Sequence, residues 1–196
     1  MKKGLIVLAV IVGVVVLSFA FLGGTYNALV KADESVNQAW AQVENVYQRR
    51  LDLIPNLVET VKGYAAHEKS TFLEVTEARA KAAGSIGAGV FNDPKQFAAF
   101  QESQSALSSA LSRLMVVVEK YPDLKANENF LSLQAQLEGT ENRISVERGR
   151  FNEAAKAFNT QFRQFPTNMI GGMFGFKTKE YFKAEATAAQ APRVKF

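Results

Sequence analysis

The amino-acid sequence predicts an all-α fold: an elongated antiparallel helical bundle carrying one N-terminal transmembrane helix. Three observations predict it. Leu5 to Leu22 is an apolar run without a charge. Beyond it, apolar residues recur at helical and heptad spacing over long stretches. The five Pro and thirteen Gly gather at a few places, whereas a β-sandwich would need turn signals about every 8 to 12 residues. The 47% apolar and 21% charged content is that of an ordinary globular chain.

The apolar run LIVLAVIVGVVVLSFAFL, as a helix, reaches about 27 Å, close to the hydrocarbon thickness of a bilayer. Lys2 and Lys3 precede it, and the next charges are Lys31, Asp33 and Glu34. The positive-inside bias therefore puts the N-terminus in the cytoplasm and everything after residue 25 outside. Ser18-Phe19-Ala20 offers a cleavage site for a signal peptide. The apolar run continues past it, and no Cys is present for a lipoprotein anchor, so a retained anchor is the favoured reading.

From Tyr26 to about Ala83 the apolar residues follow a heptad through Leu29, Val36, Trp40, Val43, Tyr47, Ile54, Leu57, Val61, Tyr64, Val75 and Ala78. Asp33 and Arg50 fall on the same seam, which points to irregular packing or specific polar contacts rather than a plain zipper. Pro55 cannot donate to the Leu51 carbonyl, so a kink or break is expected near Leu53 to Pro55. The run from Ala83 to Gly89 reads as a connector, and Asn92 or Asp93 as cap with Pro94 at the first position opens the next helix. That helix carries Phe97, Phe100, Leu107, Leu111 and Leu114 to about Lys120, with Met115 to Val118 suggesting a buried end. Tyr121-Pro122-Asp123 breaks it. A last long helix starts near Asn127, with Phe130, Leu137, Ile144, Phe151, Phe158 and Phe165 spaced by seven.

Beside that seam the middle row is polar: Thr140, Glu141, Glu147 and Arg148. With Gln134, Gln136, Asn142, Arg143 and Arg150 it forms either an internal network facing Arg49, Arg50 and Asp52 or an intersubunit contact, the internal network being favoured. After Pro166 the chain is rich in aromatic residues and lysine, with Phe174, Phe176 and Phe182 among Lys177, Lys179 and Lys183, and it closes on an Ala-rich end and Pro192 to Phe196. These aromatics either pack on the bundle or touch a membrane or neighbouring subunit.

The residue inventory excludes much chemistry. There is no Cys and one His, which removes thiolate catalysis and Cys-bearing metal sites. His67-Glu68 starts an H-E-x-x-H pattern, but Thr71 stands where the second His must be. Asp33-Glu34 and the pair Glu138 and Glu141 lack a companion nucleophile or oxyanion donors, and residues 84 to 89 lack the Lys-Ser/Thr of a phosphate loop. No catalytic residue, metal or cofactor is expected. Residues 23 to 147 hold twelve Lys+Arg against sixteen Asp+Glu, and residues 148 to 196 hold nine against three. The basic C-terminal part suits an anionic membrane surface as well as phosphate backbones, and no nucleic-acid module accompanies it.

Several stretches together resemble the LemA family. They are Tyr26-Asn27-Ala28-Leu29-Val30 with Asp33-Glu34 and Ala39-Trp40; Val43 to Val58, which includes the R-R-x-D-L-I-P-N-L block; Tyr121 to Asn127; Leu133 to Ile144; and Phe165-Pro166 with Phe174-Gly175-Phe176. The resemblance covers nearly the whole chain. It implies a single N-terminal anchor, an extracytoplasmic antiparallel bundle and no accepted enzymatic activity.

The expected organisation is a cytoplasmic tip and anchor (1–25), an extracytoplasmic bundle (26–166) and an aromatic, basic C-terminal segment (167–196). The expected location is the bacterial inner membrane, single-pass, with the bundle in the periplasm or outside the cell. The expected function is a non-enzymatic, self-assembling envelope scaffold or membrane-organising structure, with the lipid bilayer and further copies of the chain as partners. The alternative is a monomeric anchored adaptor for a membrane protease or signalling protein. The candidate contact residues are Trp40, Arg49, Arg50, Asp52, Glu138, Asn142, Arg143, Met173, Phe174, Phe176, Tyr181 and Phe182.

Overall fold

The computed structural model describes residues 2–183, with side chains from Gly4 onward; the Ala-rich end from Ala184 and the closing Pro192 to Phe196 lie outside the described residues. Helix α1 spans Lys2–Lys62, α2 Lys69–Gly84, α3 Pro94–Val118, α4 Pro122–Lys125, α5 Glu128–Arg163 and α6 Thr167–Met173, with a 3-10 turn at Val90–Asn92. Among the described residues there is no strand.

The 61 residues of α1 form one helix, about 92 Å long if straight. Its residues 4 to 22 are apolar and almost wholly exposed, and this helix is long and apolar enough to cross a membrane. Helix α5 runs antiparallel beside the rest of α1. Asn127 at its start donates to Tyr64 Oη (3.0 Å), Glu141 at its middle pairs with Arg50, and Phe162 at its end closes on Leu29 across Gly171. Helices α2 and α3 form a second antiparallel pair, joined by Glu74 to Arg113 near one end and Ser85 to Ser103 at the other.

Of the kink or break expected near Leu53 to Pro55, a break does not occur. The helix continues through Pro55 and ends at Lys62, before Gly63; the interruption is the turn at residues 63–68. The physical reason lies in α2. Pro55 has no N–H for the Leu51 carbonyl, and Arg79 Nε donates to that carbonyl instead, at 2.8 Å. Leu51, Ile54, Leu57, Val58 and Val61 are all buried, so packing on both sides of the proline holds the helical path.

Local signals explain the other ends. The Asp93 carboxylate accepts from Lys95 N (2.8 Å) and Gln96 N (3.1 Å), and Pro94 occupies the first turn of α3. Gly89 takes φ 76° in the connector, a conformation that favours glycine. Asn127 caps α5 by accepting from Phe130 N at 3.0 Å. Two expectations fail at helix ends. Val116 is exposed, so the run Met115 to Val118 is buried on one side only. Helix α5 stops at Arg163, and Phe165, the last residue of the sevenfold series, lies beyond it and is 80% exposed.

The core has two parts. Away from the exposed apolar stretch of α1, Leu51, Leu57, Val61, Phe72, Val75, Leu107, Leu114, Phe130 and Leu137 pack together. Nearer to it, Leu29, Trp40, Tyr47, Phe91, Phe97, Phe100, Phe151, Phe158 and Phe182 do so. Each such side chain contributes about 1.5–3 kcal/mol by burial. Between the two parts, Tyr47 to Leu51 on α1 and Leu137 to Ile144 on α5 bracket a polar layer.

Candidate interaction surface

The polar layer is built around Arg50, which is 3% exposed although it sits on the apolar seam of α1. Its Nε lies 2.8 Å from Glu141 Oε1, and its Nη2 donates to Ser108 Oγ at 2.6 Å, so one guanidinium ties α1 to α5 and α3. Beside it, buried Thr140 donates to the Gln136 carbonyl at 2.7 Å. A cleft of about 410 Å³ opens here, with Leu111, Met115 and Leu137 on its apolar side and Ser112, Gln134, Glu138 and Glu141 on its polar side. Of the expected facing charges, the fold brings Arg50 and Glu141 together. Arg49, Asp52, Glu138, Asn142 and Arg143 lie exposed; Asp52 accepts from Gln48 and Glu138 from Gln134 on their own helices.

Trp40 is 2% exposed and sits in the core of the bundle. Its ring centroid is 5.4 Å from those of Phe91, Phe100 and Phe151, and its Nε1 donates to Glu44 Oε1 (2.8 Å) and to the Gly87 carbonyl (3.1 Å). It is a core residue that also fixes the connector after α2.

The C-terminal aromatics divide by environment. Phe182 is buried against Trp40, Phe97 and Phe151, Phe176 is half-buried, and Met173, Phe174 and Tyr181 are exposed. Residues 179 to 183 form a strap along α5, held by two asparagines seven residues apart. Asn159 Nδ2 donates to the Lys179 carbonyl (2.9 Å) and to Tyr181 Oη (2.8 Å), and its Oδ1 accepts from Lys179 N (2.8 Å). Asn152 does the same for both backbone groups of Phe182, at 3.0 and 2.9 Å. Lys179 is 6% exposed. Its ammonium pairs with Asp33, donates to Asn92 Oδ1 (2.7 Å) and lies over the Phe158 ring at 4.7 Å. Asp33, the other charge on the α1 seam, thus meets its cation from the far end of the chain.

Sequence reasoning missed Asn152, Asn159 and Arg79, and it grouped Lys179 with Lys177 and Lys183 at a candidate membrane contact, whereas the fold buries Lys179 against Asp33. Asn152 and Asn159 each follow a seam phenylalanine, Phe151 and Phe158, and that repeated Phe-Asn pair at heptad spacing was the available signal.

Next to the exposed apolar stretch, Tyr26 on α1 contacts Phe174 (ring centroids 4.7 Å apart) and Phe176 (6.0 Å). Gly171 of α6 packs closely there: a Cβ on it would lie 2.8 Å from the Phe162 ring and 3.0 Å from Leu29. The candidates for chemistry stay apart. His67 and Glu34 are exposed, Asp33 faces Lys179, and among the described residues no three His, Asp or Glu side chains converge as a metal site.

Comparison with known proteins gives the ancestry. The LemA family model matches residues 39–196. The magnetosome protein MamQ 2 of Paramagnetospirillum magneticum is 30% identical over 184 residues, covering 85% of this chain and 67% of the relative. The magnetosome protein MamQ of Magnetospirillum gryphiswaldense is 29% identical over the same length and coverage. Protein LemA of Metamycoplasma hominis is 22% identical over 183 residues, covering 93% of this chain and 80% of the relative. The R-R-x-D-L-I-P-N-L block that carried the resemblance holds both the buried Arg50 and Pro55, and it lies inside the matched range: the chain belongs to the LemA family.

Proposed function

We propose that this chain is a single-pass, non-enzymatic protein of the bacterial inner membrane whose bundle self-associates outside the cytoplasm as a scaffold or membrane-organising structure. The observation that carries the reading is the continuity of α1. Gly23 and Gly24, where a joint could form, are both helical, so span and bundle share one rod without a hinge. Copies confined to a plane and aligned by such a rod meet at high effective concentration in similar orientations, which favours weak lateral contacts. Lys2 and Lys3 before the span favour a cytoplasmic N-terminus. The names of the relatives are not enzyme names, and the two buried cations Arg50 and Lys179 are held in structural pairs, which supports a role without catalysis.

Arg49, Asp52, Glu138, Asn142 and Arg143 form the exposed polar surface available to a neighbour. The chain has no cysteine, so Arg49→Cys and Arg143→Cys each place a unique thiol there. Thiol crosslinking of either variant in native membranes is expected to give a dimer at twice the 21.5 kDa chain, and the variant carrying both thiols a ladder in multiples of it. An adduct with one different protein and no ladder would instead support an anchored adaptor.

A further inference from the structure

Where α1 passes from its exposed apolar stretch into the bundle, the end of the bundle carries an apolar surface of its own. Helix α5 runs antiparallel to α1, so its C-terminal end comes down toward the span, and the chain beyond it exposes Phe165, Met169, Met173 and Phe174. Met173 is 85% exposed. This placement is fixed, because the Phe174 ring packs tilted against Tyr26 and Gly171 admits Leu29 and Phe162 at close contact. Tyr26 lies four residues after Leu22, a rise of about 6 Å along the helix. The headgroup layer on each side of a bilayer is roughly 5–8 Å thick. Charge agrees with depth: from Thr160 to Thr178 the charged residues are Arg163 and Lys177, both exposed, with no acidic residue. Aromatic and methionine side chains bounded by cations are the composition that settles at an anionic headgroup surface.

We propose that the surface made by Phe165, Met169, Met173 and Phe174, beside Tyr26, is a second membrane contact, bedded in the headgroup layer of a bilayer containing anionic lipid next to the exit of α1. The proposal rests on the anchor reading above. Its consequence is mechanical: one helix alone can tilt and rotate in a bilayer, whereas a helix and a laterally displaced apolar foot fix the direction in which the bundle stands.

The test uses the full chain in vesicles of phosphatidylcholine and phosphatidylglycerol, with a polarity-sensitive fluorophore on one introduced thiol at a time: Met169→Cys, Met173→Cys, Leu22→Cys, Leu8→Cys and, at the far end of the bundle, Leu131→Cys. Lipids carrying a nitroxide at the headgroup end of the acyl chain are then added as quenchers. The labels at 169 and 173 are expected to be quenched to an extent similar to the label at 22, the label at 131 not at all, and Arg163→Gln with Lys177→Gln to weaken the quenching at 173. Labels at 169 and 173 as unquenched as the one at 131, with 8 and 22 quenched, would overturn the proposal and leave the anchor intact. A blue-shifted label at 173 without lipid quenching would overturn it in favour of a second copy as the occupant. An unquenched label at 8 would overturn the anchor reading itself, and the proposal with it.

Discussion

Replacing Arg79 by Met should destabilise the bundle through a carbonyl on another helix, and replacing Pro55 by Ala should remove most of that cost. Leu51 is buried, and Pro55 denies its carbonyl the usual intrahelical donor, so Arg79 Nε at 2.8 Å takes that place. Methionine keeps much of the arginine stem's packing and removes the donor. A hydrogen bond from a charged group is worth about 1.5–3 kcal/mol, and Arg79 is half-buried, so the lower part of the range applies, about 1.5–2 kcal/mol. Pro55 is exposed, so Pro55→Ala disturbs little packing and restores an N–H at position 55; a helix-interior proline costs up to about 3 kcal/mol relative to alanine. In that background the Leu51 carbonyl has its intrahelical partner, and Arg79→Met should cost about 1 kcal/mol less than in the parent chain. The assay is urea unfolding of the four full-length proteins in detergent, followed by the emission of Trp40, the single tryptophan, whose burial in the aromatic core makes it a reporter of the bundle. Losses equal in the two backgrounds to within about 0.5 kcal/mol would refute this account of how the helix passes Pro55.

Other substitutions test the remaining contacts. Trp40→Ala should cost about 3–5 kcal/mol in the same unfolding assay, because it empties the centre of the aromatic core and releases the connector at Gly87. Arg50→Ala should destabilise more than Glu141→Ala, since Arg50 is buried and joins three helices while the Glu141 side chain is about half exposed; equal losses would contradict the polar layer as described. Asn159→Ala should cost about 2 kcal/mol, and its mark should be faster tryptic cleavage at Lys177 and Lys183 and faster amide exchange over residues 179–183, with α5 unchanged. Gly171→Ala should lose about 1–3 kcal/mol by pushing α6 off Phe162, whereas Gly172→Ala, whose Cβ meets nothing within 4 Å, should be close to neutral.

The helices were legible because their signals are local and repeated. Phe130 to Phe158 mark the buried face of α5 by spacing alone, and Asp93-Pro94 and Asn127 mark helix starts through side chains that bond within the next turn. Asp33 and Arg50 announced themselves as polar residues on an apolar seam, and the polar row of α5 that holds Glu141 was legible as facing Arg50, but the specific pair was not, and no spacing pointed from Asp33 to Lys179. Lys179 and Glu141 reach them from other helices or from the C-terminal strap, at separations set only by the fold. The path through Pro55 was illegible for the same reason: the donor that allows it is Arg79, on the next helix. Trp40, named among the contact residues, is a lone tryptophan on a seam, which fits either an interface or a core, and only its surroundings decide.

The most direct test of the central claim is the mass of the detergent-extracted full-length protein, measured beside that of the chain beginning at Thr25 and accompanied by electron-microscope imaging of both. The account predicts a large, regular particle for the full-length protein that is lost or reduced when the anchor is removed. Two clean monomers would contradict it.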